Sequence, residues 1–145
     1  MTNSVLVIAA HPDDEVLGCG GSIARHVDAG DHVQVLIVAE GATSRQQQRD
    51  RGKVVTELSD LAFAAQKAGE ILGATGVELL DLPDNRLDSI DRLDLVKLIE
   101  ARIERYRPQF VYIHHIGDVN IDHRRLHEAV VMACRPTPGS ASSAY

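Results

Sequence analysis

Tryptophan is absent from this chain, and three tyrosines and two phenylalanines are its whole aromatic content. A platform that stacks nucleic-acid bases needs aromatic faces, so that class is disfavoured. Basic residues are also scarce. Fifteen Lys and Arg stand against 21 Asp and Glu, a net charge of −6 at pH 7, and no dense basic stripe is present to track a phosphate backbone. Cysteine is limited to Cys19 and Cys134, too few and too isolated for a disulfide framework or a cysteine-based zinc site. No apolar run is long enough to span a bilayer, and no basic segment precedes the first one. The expectation is a cytoplasmic protein with no membrane insertion and no nucleic-acid partner.

What is present is ordinary in bulk and unusual in two places. The 145 residues, 44% hydrophobic and 25% charged, fit one domain with a real core. Four units repeat the order strand then helix. The predicted strands are Val5 to Ala10, Val33 to Ala39, Val77 to Leu82 and Phe110 to His115. The predicted helices run from about Val16 to Ala29, Leu58 to Leu72, Asp91 to Tyr106 and His123 to Cys134. The first helix draws its apolar stripe from Val16, Leu17, Ile23, Ala24 and Val27. Continuous apolar strands alternating with amphipathic helices imply an α/β fold: a Rossmann-like three-layer sandwich with a parallel sheet of about four strands. The expected strand order is 3-2-1-4, with helices on both faces. Residues 1–136 form one expected domain, and 137–145, Thr-Pro-Gly-Ser-Ala-Ser-Ser-Ala-Tyr, read as a flexible tail. The outer edge of the fourth strand is left unpaired, which points to self-association or to a longer natural chain.

The first unusual place is His11-Pro12-Asp13-Asp14-Glu15, directly after the first strand. Three acids and an imidazole at the mouth of a sheet repel one another, and a divalent cation offsets that repulsion while using them as ligands. The second is His114-His115 to Asp118, Asn120, Asp122 and His123, after the fourth strand. In the 3-2-1-4 order strands one and four are neighbours at the topological switch point, where α/β sheets bind ligands. The two clusters therefore meet in one crevice. As isolated features they have plainer readings: a solvated turn with an Asp helix cap, and a surface histidine at a helix start. Gly18, Gly20 and Gly21 lie too far beyond the strand for a dinucleotide turn and suit close helix packing. His26 and His32 read as solvated, Asp84-Asn85-Arg86 as a turn that follows the third strand and is placed to border the pocket, and His127 as secondary, because Arg124 stands where a His-Glu-x-x-His motif needs Glu.

The motif Ala10-His11-Pro12-Asp13-Asp14-Glu15, followed by Gly18-Cys19-Gly20-Gly21, resembles that of the LmbE-like (PIG-L) zinc-dependent N-deacetylases. The stretch His114 to Arg124 resembles the family's second motif in its Asn-x-Asp-His variant. The family's usual C-terminal portion has no counterpart here. By that resemblance Zn²⁺ is the cofactor, His11, Asp14 and His123 are its ligands, and Asp13 is the general base. The implied activity is removal of an N-acetyl or other N-acyl group from an N-acetylated amino sugar or its conjugate. Asn120 stands where the family usually carries a histidine for the oxyanion. His114 or His115 is then the candidate to protonate the leaving amine, His115 the more favoured, with Asp118 available to position one of them, and Asp122 orients its neighbours or caps the last helix. Leu61 and Ala64 replace the family's Arg-x-x-Glu, leaving Arg45 as the candidate substrate contact. A Rossmann-like module for nucleotide or metal, or an inactive truncated remnant, is the alternative reading.

Overall fold

The computed structural model describes residues 1–136, and the expected tail lies outside the described residues. The four strands β1 (Ser4–Ala9), β2 (His32–Ala39), β3 (Gly76–Leu82) and β4 (Phe110–Tyr112) form one parallel sheet in the order β3-β2-β1-β4. The helices α1 (Asp14–Asp28), α2 (Val55–Leu72), α3 (Arg92–Tyr106) and α4 (Ile121–Ala133) cover it. The expected fold and strand order are thus present.

Two apolar layers hold the sheet. Successive strand residues point to opposite faces. Leu6, Ile8, Leu36 and Val38 pack with Leu95, Val96 and Ile99 of α3 and Leu126, Ala129 and Val130 of α4. Val5, Val7, Val33, Val35 and Ile37 pack with Ile23 of α1 and Ala65 of α2 on the other side. Because both faces are covered, β1 and β2 carry continuous apolar runs rather than alternation. Each fully buried Leu or Ile in these layers contributes about 1.5–3 kcal/mol relative to exposure.

Local chemistry sets the helix ends. The Asp91 carboxylate accepts the Leu93 N–H at 2.9 Å and caps α3. Asn120 caps α4 by accepting the Asp122 N–H at 2.8 Å. Gly73 ends α2 in the left-handed region at φ 77°, and a Cβ there would lie 2.7 Å from Val27 Cγ1, so only glycine closes this turn against α1.

Three local expectations need correction. Leu17 is 81% exposed and Val16 39% exposed, so the α1 stripe is carried by Gly20, Ile23 and Val27. Leu17 sits about 100° around the helix from Val16, and Val16 itself lies at the rim of the sheet. β4 ends its pairing at Tyr112 instead of running to His115. Beyond that point the Ala10 N–H is satisfied by the His114 ring, 2.9 Å away, rather than by a strand carbonyl. His26 is not simply solvated. Its Nδ1 lies 2.7 Å from Asp31 Oδ2 and its Nε2 2.9 Å from the Tyr112 hydroxyl, fastening the end of α1 to the edge strand. No described helix is long and apolar enough to cross a membrane.

Candidate metal centre

β1 and β4 end side by side, and their following turns carry the two acid–histidine clusters. After β1 the chain turns at once, with the Asp13 and Asp14 N–H groups both donating to the His11 carbonyl at 3.0 and 3.2 Å. Asp14 then opens α1, where the helix dipole favours a carboxylate. Its Oδ2 accepts the His11 N–H at 2.9 Å. On the other side, the Asn120 cap places His123 in the first turn of α4.

His11, Asp14 and His123 each offer a ligand atom, all within 4.8 Å of one another. His11 Nδ1 is 3.2 Å from Asp14 Oδ2, and His123 Nε2 is 3.0 Å from the same oxygen. Ligand atoms about 2.1 Å from a tetrahedral zinc stand roughly 3.4 Å apart, so little movement is needed to close the set. The decisive detail is His123 Nε2, which is buried and has no hydrogen-bond partner. A cation held between this nitrogen and the Asp14 carboxylate would satisfy both. Two imidazoles and one carboxylate also leave a fourth tetrahedral position open, as catalytic zinc sites require.

Two other groupings have comparable spacing, His114 with Asp118 and His123, and His11 with Asp84 and Asp122. Their donor atoms are already used. His114 Nε2 accepts the Ala10 N–H, and His123 Nδ1 lies 2.9 Å from Asp118 Oδ2. Asp122, wholly buried, accepts the Leu87 N–H on Oδ1 at 2.9 Å and the Asn85 N–H on Oδ2 at 2.7 Å. Asp84 accepts the Ser44 N–H at 3.0 Å and an Asn85 side-chain N–H at 3.0 Å. These groups surround the first set rather than compete with it.

The charges around the centre are strongly coupled. Burial disfavours the His11 imidazolium, but hydrogen bonds to Asp122 and Asp14 and their charges outweigh it and push the pKa up to about 10. Burial would raise the Asp14 carboxyl, yet the His11 hydrogen bonds and the nearby His123 and His114 hold it below its ordinary value. His114 is lowered by burial and by the charge of His123, on which its ring stacks at 3.7 Å. Asp13 is raised by partial burial and by the adjacent Asp14, which is the direction a general base needs. Glu15 is raised by burial, and its Oε2 accepts the Asp13 N–H at 3.0 Å. A cavity of about 220 Å³ adjoins Asp14, His114 and His115, with Val7, Ala9, Cys19 and Ile113 among its walls.

The remaining sequence candidates fall at different distances from this chemistry. Asp122 touches the centre directly, with Oδ2 3.0 Å from His11 Nε2. Asn120 spends its Oδ1 on the helix cap, while its Nδ2 donates to Asn85 Oδ1 at 3.1 Å. His115 is exposed, and its Nδ1 accepts the Gly117 N–H at 3.0 Å, which leaves the proton of the neutral ring on Nε2. Arg45 is exposed on the loop 41–50, next to Ser44. His127 is an anchor, its Nδ1–H donating to the His114 carbonyl at 2.7 Å. Asp84 and Asn85, read from the sequence as a turn placed to border the pocket, form that turn and line the site. The signal was available, because they leave the C-terminal end of β3, on the same rim as the other clusters.

Comparison with known proteins gives a consistent family. The chain is 29% identical over 139 residues to "Uncharacterized deacetylase YaiS" of Escherichia coli, covering 92% of this chain and 69% of that protein. It is 29% identical over 177 residues to the 1D-myo-inositol 2-acetamido-2-deoxy-alpha-D-glucopyranoside deacetylase of Kineococcus radiotolerans, covering 95% of this chain and 46% of that protein. Among solved structures, GalB, the 4-carboxy-2-hydroxymuconate hydratase from Pseudomonas putida, superimposes with a TM-score of 0.78 at 28% identity, over all of this chain and 61% of that one. The chain thus spans between about half and two thirds of the length of these relatives. The family model for PIG-L, GlcNAc-PI de-N-acetylase, matches residues 6–134, and the chain belongs to that family.

Proposed function

We propose that this chain carries a Zn²⁺-dependent hydrolase that removes an N-acetyl, or other N-acyl, group from an N-acetylated amino sugar or its conjugate. The observation that carries the reading is the convergence of His11 Nδ1, Asp14 Oδ2 and the otherwise unpartnered His123 Nε2 in a PIG-L family member. The deacetylase name of the Kineococcus relative supports the substrate class.

When bound, Zn²⁺ supplies Lewis acidity, lowering the pKa of water and polarising an acyl carbonyl. The chain's own groups do the rest. Asp13, its carboxyl raised by burial and by Asp14, accepts the proton of the attacking water. Asn120 keeps one amide proton free for the carbonyl oxygen. His115, in its imidazolium form, protonates the departing amine and is recharged by the proton that Asp13 took from the water. Asp122 keeps the His11 ring in place through Nε2. Arg45, at the exposed rim, contacts the sugar or its conjugate. The products are a carboxylate and a free amine.

A second reading draws on the GalB likeness: a hydratase also needs an activated water, added to a carbon–carbon double bond rather than an amide. One experiment separates the two. Protein purified without added metal is assayed for zinc content, for amine release from N-acetylglucosamine conjugates, and for hydration of an unsaturated tricarboxylate. The expected result is near-stoichiometric zinc and amine release. Asp13→Asn should keep the zinc while turnover falls about 10²–10⁴-fold, and His11→Ala or His123→Ala should lose the metal. An Asp13→Asn variant as fast as the parent refutes the base assignment, and hydration without amine release selects the second reading.

A further inference from the structure

The segment after β2 is pinned to the candidate centre at two independent points. Gly41, at φ 78°, packs so closely on Pro12 that a Cβ there would lie 2.6 Å from Pro12 Cδ. Pro12 directly follows His11. Three residues beyond Gly41, the Ser44 N–H donates to Asp84 Oδ2 at 3.0 Å. Asp84 is 2% exposed, and its other oxygen lies 3.4 Å from His11 Nε2. The same His11 nitrogen is 3.0 Å from Asp122 Oδ2. Arg86 adds a third tie, donating to the Gln46 carbonyl at 3.0 Å.

We propose that Asp84 is a positioning residue that couples the 41–50 loop to the metal ligand His11. One carboxylate serves both. Oδ2 seats the loop through Ser44, the neighbour of Arg45, while Oδ1 joins Asp122 in fixing the outer nitrogen of the His11 ring. Buried as it is, Asp84 acts through His11 and the loop rather than on substrate. A metal drawn to His11 Nδ1 orders the ring, the ring favours the observed seat of Asp84, and Asp84 holds the loop. Linkage makes the effect reciprocal, so a seated loop also raises metal affinity. The inference rests on the metal reading above.

The loop carries Arg45 and Arg49, and Arg51 directly follows it, so trypsin is a direct probe of its seating. Parent and Asp84→Asn are compared for zinc affinity, by competition with a chelating dye, and for tryptic cleavage between residues 45 and 51 with and without zinc. In the parent, zinc should slow cleavage of the loop. Asn offers one acceptor oxygen where Asp offers two, so it cannot serve Ser44 and His11 together. Asp84→Asn should bind zinc about 10–100-fold more weakly, and zinc at saturation should no longer protect its loop. Far-UV circular dichroism verifies that the variant is folded, and the parent's own cleavage with and without zinc tests the coupling if it is not. A parent that binds zinc with no change in loop cleavage overturns the coupling, as does an Asp84→Asn variant with parental affinity and protection. A parent that binds no zinc overturns the metal reading and this inference together.

Discussion

Replacing Asp122 with alanine should destabilise the fold more than any other single change at the site. The carboxylate is wholly buried and terminates three donors or potential donors: the Leu87 N–H at 2.9 Å, the Asn85 N–H at 2.7 Å and His11 Nε2 at 3.0 Å. Leu87 is itself fully buried, so its N–H cannot turn to water once the acceptor is gone. Each stranded buried donor costs about 1–3 kcal/mol. Removing one partner of a buried charged pair costs about 3–5 kcal/mol in all. Set against a typical total of about 5–15 kcal/mol, this is a large fraction. At about 2–4 °C per kcal/mol, the melting midpoint should fall by roughly 6–20 °C. Asp122→Asn separates the contributions. Its remaining oxygen can still accept the Leu87 N–H, but its NH₂ then faces the Asn85 N–H, donor against donor. It should melt between the parent and the alanine variant. The assay is thermal denaturation by circular dichroism of metal-free protein, so that metal loss does not enter. An alanine variant that melts within about 2 °C of the parent refutes the view that this carboxylate holds the β3–α3 turn against α4.

Glu40 gives an acid-stability prediction. Burial opposes its charge, but hydrogen bonds from Arg49 and Thr43 and the charges of Arg49 and Arg51 outweigh that, and its pKa lies below the ordinary value. A carboxyl depressed in the folded state adds stability above its unfolded pKa of about 4.3 that is lost as pH falls through the folded value. Glu40→Gln should therefore flatten the loss of melting temperature on acidification below about pH 5, and an unchanged pH profile would contradict the argument. Gly41→Ala combines a positive φ with the close approach to Pro12, so it should lower stability by at least about 1 kcal/mol, measured by urea unfolding, and increase tryptic cleavage after Arg45. A neutral outcome there would mean the 41–50 loop moves freely away from the motif.

The sheet was legible because its strands are unbroken apolar runs alternating with helices, and the 3-2-1-4 order is the commonest doubly wound arrangement of such units. The pairing of the two acid–histidine clusters followed from that order. The finer geometry was less visible for physical reasons. β4 stops early because a side chain, His114, takes the place of a ladder partner, and no periodicity records such an exchange. Asp84 and Asn85 match turn chemistry in the sequence, since Asn tolerates the positive φ of 54° that Asn85 adopts. Only the fold shows that Asp84 is buried beside His11. His26 looked solvated because its partners, Asp31 and Tyr112, come from different elements. The ring nitrogen that each histidine turns inward is likewise a matter of long-range contacts, with Asp122 beside His11 and Asp118 beside His123.

The position of β4 beside β1 has a consequence for synthesis. Strands β1, β2 and β3 can assemble in the order in which they leave the ribosome, each against its immediate predecessor. β4 must instead return across the chain, and the Ala10–His114 contact closes a span of 104 residues. Closing such a span is slow, because its entropy must be lost before any contact rewards it. The two halves of the candidate centre, His11 with Asp14 on one side and His123 on the other, therefore come together only at this closure.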